Sequence, residues 1–323
     1  MRIRDKLLPW SLLFMVFGFQ AALAGSVDKA VSLFEAEQYQ ASIQEADRVL
    51  EKQPDDSQAL NIKALSVSVL GDDETAIRLV SQALEASSKN GQATIAQQSD
   101  YWNNLGYFSE RQRNFEAALG YHKKSLEMRL AAFGEKDLRT ADSYNNIGTT
   151  LSRLGRYDEA FEYLNKNLTL RERLLGPDDH LVAIAVNNLG NAYNLKGDYE
   201  RSLPLFEQAL DIDLRLYGPE HPIIAARWNN VGDALRGLGR YDEAERSLNK
   251  ALNSDLATFG ESHPKVVSRY TNLARVYEAQ GDTPKASASY AKALKILQQS
   301  YPSDTEQIDF LESKLKAIAA KSG

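Results

Sequence analysis

The chain has 323 residues, 43% apolar and 25% charged, with a formal net charge of −6. That is enough for a large buried core in an ordinary globular protein, and the negative balance speaks against wholesale binding to nucleic acid or anionic membrane, which need basic surfaces. Cysteine is absent, which excludes disulfides, thiolate catalysis, cysteine-ligated metals and a lipidated N-terminal cysteine.

The first residues read as a targeting segment. Arg2, Arg4 and Lys6 precede an apolar stretch from Leu7 to Leu23, interrupted by Ser11 and Gln20, and Ala22-Leu23-Ala24 is a small-x-small site ahead of Gly25. This is the three-part pattern of a secretory signal peptide over 1–24, removed from the mature protein. Its removal shifts the net charge from −6 to −8. The alternative is a retained anchor, but Pro9 and Gln20 shorten the clean apolar run to about ten residues, too few to span a bilayer comfortably. The expected location is the bacterial periplasm, with secretion as the alternative, and no stable membrane insertion after cleavage.

Beyond the leader, one pattern dominates. Asn103-Asn104-Leu105-Gly106 returns as Asn145-Asn146-Ile147-Gly148, Asn187-Asn188-Leu189-Gly190 and Asn229-Asn230-Val231-Gly232, each 42 residues after the last, and more weakly as Thr271-Asn272-Leu273-Ala274. Asn61 and Ala64 lie one step upstream. A second block keeps the phase: Gly155-Arg156-Tyr157-Asp158-Glu159-Ala160, Gly197-Asp198-Tyr199 and Gly239-Arg240-Tyr241-Asp242-Glu243-Ala244.

Each unit reads as two helices. Tyr144, Ile147 and Leu151 share one face of the first, and Ala160, Leu164, Leu168 and Leu175 one side of the second, which runs from about Asp158 to Leu175. Small residues fall where the helices cross, as at Gly148 with Ala160 and Gly190 with Ser202. The second helices end at Gly134, Gly176, Gly218 and Gly260, read as left-handed caps, and Pro222 and Pro264 open the next first helices. One pair cannot bury its apolar face alone, whereas stacked pairs can. The units fall near 27–56, 57–88, 99–134, 140–176, 180–218, 222–260 and 264–300, within a repeat region 25–300, and 303–321 reads as a capping helix with Ile308, Leu311, Leu315 and Ile318 on one face. The polar stretch from Ser87 to Ser99 fits the repeat least.

These residues resemble the tetratricopeptide-repeat (TPR) family. Trp102, Leu105 and Gly106 match its W-x-x-L-G start, and Ala244, Leu248, Ala251 and Leu252 match its second helix. The family period of 34 separates Ser42 from Ala76, and Pro54 closes the first unit. Long units with N-N-L-G and with Gly218-Pro219-Glu220-His221-Pro222 or Gly260-Glu261-Ser262-His263-Pro264 look most like the kinesin-light-chain type. The resemblance covers about residues 27–300. It implies an all-α, right-handed superhelical solenoid of about seven helix pairs plus the C-terminal cap, but not a kinesin motor as partner.

It also implies a site. TPR arrays hold ligands in the concave groove lined by the first helix of each unit. At about 100° per residue, both asparagines of each N-N-L-G face that groove, with Leu105 turned into the stack. Asn103, Asn104, Asn145, Asn146, Asn187, Asn188, Asn229, Asn230 and Asn272 thus form a ladder of amides, each able to donate and accept, suited to the backbone of an extended peptide. Local structure is the competing reason for the second asparagine. The residues after the glycines differ: Tyr107, Thr149, Asn191, Asp233 and Arg275, positions where specificity would reside. Arg111, Arg153, Asn194 and Arg236 add to the groove, balanced by Asp100, Asp142 and Glu110. The lysine of TPRs that clamp a C-terminal carboxylate is missing.

Other chemistry is thin. His180, His221 and His263 stand in successive linkers, one unit apart, and read as helix-start residues rather than ligands of one metal ion. His122 falls where other units carry Leu164, Phe206 or Leu248. Asn167-Leu168-Thr169 is a glycosylation sequon at a packed position. Phosphate loops, serine elbows and H-E-x-x-H are absent from the sequence. The expectation is a non-catalytic scaffold or adaptor with a protein or peptide partner, without cofactor, metal or nucleic acid. The alternative is an accessory or assembly subunit of an exported or envelope complex that docks through its convex face.

Overall fold

The computed structural model describes residues 26–91 and 93–322, so the expected signal peptide lies outside the described residues. Among these the secondary structure is helical throughout, with no strand. In chain order the helices are α1 (Ser26–Glu35), α2 (Tyr39–Leu50), α3 (Ser57–Val69), α4 (Asp73–Asn90), α5 (Ile95–Arg111), α6 (Phe115–Phe133), α7 (Leu138–Arg153), α8 (Tyr157–Leu175), α9 (His180–Lys196), α10 (Tyr199–Tyr217), α11 (Pro222–Gly237), α12 (Tyr241–Phe259), α13 (Pro264–Gln280), α14 (Thr283–Ser300) and α15 (Thr305–Ser322). None among the described residues is long and apolar enough to cross a membrane.

The chain forms two compact units that meet in sequence between Leu170 and Arg171. In the first, α1 pairs with α2, α3 with α4 and α5 with α6, while α7 follows α6. Its core runs from Ala30 and Phe34 through Leu60, Leu65, Val80 and Leu105 to Phe108, with a further cluster of Leu119, Ile147, Leu151 and Ala160. In the second, α9 pairs with α10, α11 with α12 and α13 with α14, and α15 lies against α14. One core joins Leu203 and Phe206 to Leu248, Leu273, Tyr290 and Leu297, and Leu311 and Ile318 of α15 enter it. The last helix therefore covers the apolar side of the final pair, the role of a terminal cap in a repeat array.

Local chemistry fixes the helix ends. The side chains of Asp56, Asp72, Asn114, Asp137, Asp179, Asp198 and Asp282 each accept from backbone N–H groups of the first turn, filling donors that no helical carbonyl can reach. Within the stretch that fits the repeat least, the described helix ends are set by the same means. α4 continues to Asn90, Gly91 turns the chain at φ 61°, and Thr94 opens α5 with a reciprocal capping box to Gln97. The first helix of that pair thus begins at Ile95, before the expected Ser99.

The glycines at the ends of α6, α10 and α12 depart from the expected cap. Gly134, Gly218 and Gly260 have φ 78°, 76° and 76°, but with ψ −176°, 169° and 172°. That region is open essentially to glycine alone, and the chain leaves the helix extended instead of closing a left-handed turn. The repeat glycines inside the first helices have a different reason. A Cβ on Gly148 would lie 2.6 Å from Leu164 Cγ, on Gly190 2.9 Å from Phe206 Cε1, on Gly232 2.7 Å from Leu248 Cγ, and on Gly106 2.3 Å from His122 Cε1. Each pair of helices crosses at a bare backbone, and His122 takes the place of the apolar residue.

Candidate functional site

On the first-helix face the asparagines bind one another. In the first unit Asn104 donates through Nδ2 to Asn61 Oδ1 and Asn146 to Asn103 Oδ1, both at 2.8 Å. In the second, Asn230 donates to Asn187 Oδ1 and Asn272 to Asn229 Oδ1, again at 2.8 Å. The second asparagine of one repeat thus reaches the first asparagine of the repeat before it, a rung joining neighbouring first helices. Asn103, Asn104 and Asn187 are only 2%, 1% and 7% exposed. Asn145, Asn146, Asn188, Asn229, Asn230 and Asn272 are half-buried. Asn167 of the sequon is fully buried, its Nδ2 directed at Asn145 Oδ1 at 3.4 Å.

In the second unit these groups line a cavity of about 160 Å³ with Asn191, Asn194, Asp233 and Arg275, floored by Phe206. Asp233 is neutralised in place: Arg236 donates to Oδ1 at 2.7 and 3.1 Å and Asn194 to Oδ2 at 2.9 Å. Asn191 and Arg236 are half-buried, and Arg275 is exposed. In the first unit Tyr107 is half-buried, with the Arg111 guanidinium 5.9 Å from its ring centroid. Arg111 pairs with Asp73 at 2.9 Å, Glu110 accepts from the Thr150 hydroxyl, and Arg153 is exposed. The face therefore offers amides and mostly internally compensated charge, an arrangement suited to reversible hydrogen bonding.

The histidines divide by role. His221 and His263 accept through Nδ1 from the N–H groups of Ile223 and Lys265, starting α11 and α13, and stack on Tyr217 and Phe259 at 4.5 and 4.4 Å. Desolvation, aided by Lys265, holds the His263 imidazole below its ordinary range. His180 instead places Nδ1 2.7 Å from Asp213 Oδ1. Among the described residues, groups of His, Asp and Glu able to hold a metal ion are absent.

Asp213 also accepts from Arg227 Nε at 2.8 Å, and Asp255 from Arg269 Nε at 2.8 Å. All four residues are 7% exposed or less, and burial pulls the Arg269 guanidinium below its usual range. Each pair fastens the second helix of one repeat to the first helix of the next. Sequence reasoning misses these staples because it assigns charged side chains to solvent. The signal is nonetheless present: Asp213 and Asp255, like Arg227 and Arg269, stand one 42-residue period apart.

A tetratricopeptide-repeat family model matches residues 97–173, 143–215, 181–257 and 223–299, and a second matches 27–91. The chain belongs to the tetratricopeptide-repeat family. No curated protein matches it. Among solved structures it is similar to BtubC (BKLC) from P. vanneervenii, at 20% identity and TM-score 0.58 over 73% of this chain and 94% of that one. It is also similar to a putative kinesin light chain of Podosopora anserina with nearly identical TPR-like repeats, at 18% identity and TM-score 0.54 over 65% and 99%. A Rap protein complexed with competence and sporulation factor aligns at 11% identity and TM-score 0.61 over 97% and 91%. At these identities the likeness is one of fold, a fold typical of protein-interaction scaffolds.

Proposed function

We propose that the chain is a non-catalytic scaffold that holds an extended protein segment along its first-helix face. The observation that carries this reading is what the rungs leave over. Asn229 gives its oxygen to Asn272 and Asn230 its amide N–H to Asn187, so among the described residues the Asn229 Nδ2 and the Asn230 Oδ1 face only each other, at 3.5 Å. A contact that long is weak, and one donor beside one acceptor matches the alternating N–H and C=O groups of a peptide backbone. The Rap protein bound to competence and sporulation factor supports ligand binding as a use of such a fold. We also propose export, on the Arg2 to Ala24 pattern. Mass spectrometry of the chain produced with its own N-terminus should find Gly25 first, and intact Met1 would overturn it.

The site is tested with a displayed library of random dodecapeptides. The mature chain should select binders, and Asn191→Trp, which fills the cavity of about 160 Å³, should lose them by about tenfold or more with unchanged helicity. Failure to select any peptide overturns the reading. Binding unaffected by Asn191→Trp moves the ligand to the opposite, second-helix face.

A further inference from the structure

At the end of the asparagine face a second cavity, of about 350 Å³, opens between Arg275 of α13 and the first turns of α15, with Glu306 and Phe310 in its wall. Arg275 lines both this cavity and the smaller one. Among the described residues its only close polar contact is Asn272 Oδ1, at 3.4 Å, and the Phe310 ring, 39% exposed, lies 5.9 Å from the guanidinium. The other acids nearby are engaged. Asp304 accepts from the Gln307 backbone and side chain at 3.3 and 3.0 Å, and Glu278 pairs with Lys314 at 3.1 Å and accepts from Tyr290. Among the described residues, Arg275 has no carboxylate and Glu306 no cation within 4.0 Å. One cavity thus holds two charges of opposite sign that form no close ion pair, beside an apolar ring left in water.

We propose that this cavity reads a charge pair in the bound segment: an acidic side chain received by Arg275 and a basic side chain received by Glu306, with Phe310 packing on the aliphatic stem of the latter. This rests on the reading that the first-helix face holds an extended segment. In such a segment alternate residues point to the same side, about 7 Å apart, so the nearest pair able to enter one cavity together stands at positions i and i+2. A segment with two acids here meets Glu306 as a repulsion, and one with two bases meets Arg275. The preference is therefore for order and spacing of charge, rather than for net charge.

The experiment selects random dodecapeptides on the mature wild-type chain and on Arg275→Glu, Glu306→Lys and the double variant R275E/E306K. Both residues are exposed, so folding should be retained, checked by the thermal midpoint. The wild type should enrich acid-x-base in one order, each single variant should lose that enrichment, and the double variant should enrich the opposite order. Peptides selected without charge order, or the same order from wild type and double variant, overturn the charge-pair site. If those peptides still lose affinity with Asn191→Trp, the peptide-binding reading stands and only this inference fails. If no chain selects any peptide, both fail.

Discussion

Asn272 reaches back 43 positions to donate through Nδ2 to Asn229 Oδ1 at 2.8 Å, and the half-buried pair joins two first helices that share no turn. The relationship gives these side chains a structural duty before any ligand arrives. Asn229→Ala removes the acceptor and leaves the Asn272 amide without it, a loss of about 0.5–1.5 kcal/mol or more for a group left unsatisfied. Alanine's better helix propensity returns roughly 0.5 kcal/mol. The expected net loss, read from the urea midpoint, is about 0.5 kcal/mol. Asn229→Asp keeps the acceptor and should lose less. Equal stability of the alanine variant and wild type would remove the rung from the account of repeat packing.

The helix crossings predict a contrast between glycines. Gly148→Ala forces a Cβ to 2.6 Å from Leu164 Cγ and should cost about 1–3 kcal/mol by overpacking, despite the gain in helix propensity. Shortening the partner as well, in G148A/L164A, should recover part of that cost, so the double variant is less than additive. A Cβ on Gly120 of α6 would meet nothing within 4 Å, and Gly120→Ala should stabilise by roughly 0.8–1 kcal/mol. Matching effects at the two sites would mean the helices do not cross as described.

The staple between α12 and α13 behaves as a buried ion pair. Arg269→Met strands the Asp255 carboxylate, 1% exposed, and should cost about 3–5 kcal/mol. Replacing both, in D255L/R269M, should be close to neutral, because the desolvation of two charges is removed along with their attraction. Chemical denaturation of the two variants separates the cases, and a double variant as unstable as the single would show the pair to be strongly favourable in itself.

Asp137 gives a pH signature. Its carboxyl is held below the ordinary value of 3.8, first by the hydrogen bond from the Arg139 side chain and, against a smaller desolvation effect, by the Arg139 backbone N–H. The ionised form therefore favours the folded state: the contribution is fully present above pH 3.8 and is lost as pH falls through the lowered folded value. Asp137→Ala should be about 1 kcal/mol less stable at neutral pH through loss of the cap, and the gap should close in acid. A gap independent of pH would deny the carboxylate its part in capping α7.

Much of this is legible because a repeat writes the same instruction several times. Leu105, Ile147, Leu189 and Val231 recur in phase and name the buried face, and Pro222 and Pro264 mark helix starts that the structure places at those residues. The groove asparagines are legible as a row, but not their pairing, since amides that donate and accept carry no sign of which partner they choose. The rung joins residues 43 apart, one more than the period, and only the offset between neighbouring helices brings them opposite. Asp213 and Arg227 are hidden for another reason: composition assigns charge to solvent, and only packing reveals that both are buried.

The staples also bear on how such a chain can change its length. Asp213 meets Arg227, and Asp255 meets Arg269, each fourteen positions on at 2.8 Å. Excising residues 214–255 would bring Asp213 fourteen positions before Arg269 and Asn187 forty-three before Asn272, and duplicating the same stretch would add one further copy of each contact. Loss or gain of a whole period therefore mates each of these two joints with a joint of the same kind. An unequal crossover in the gene that respects this register yields a shorter or longer protein with sound seams, so the number of repeats is free to drift while the unit that is copied is not.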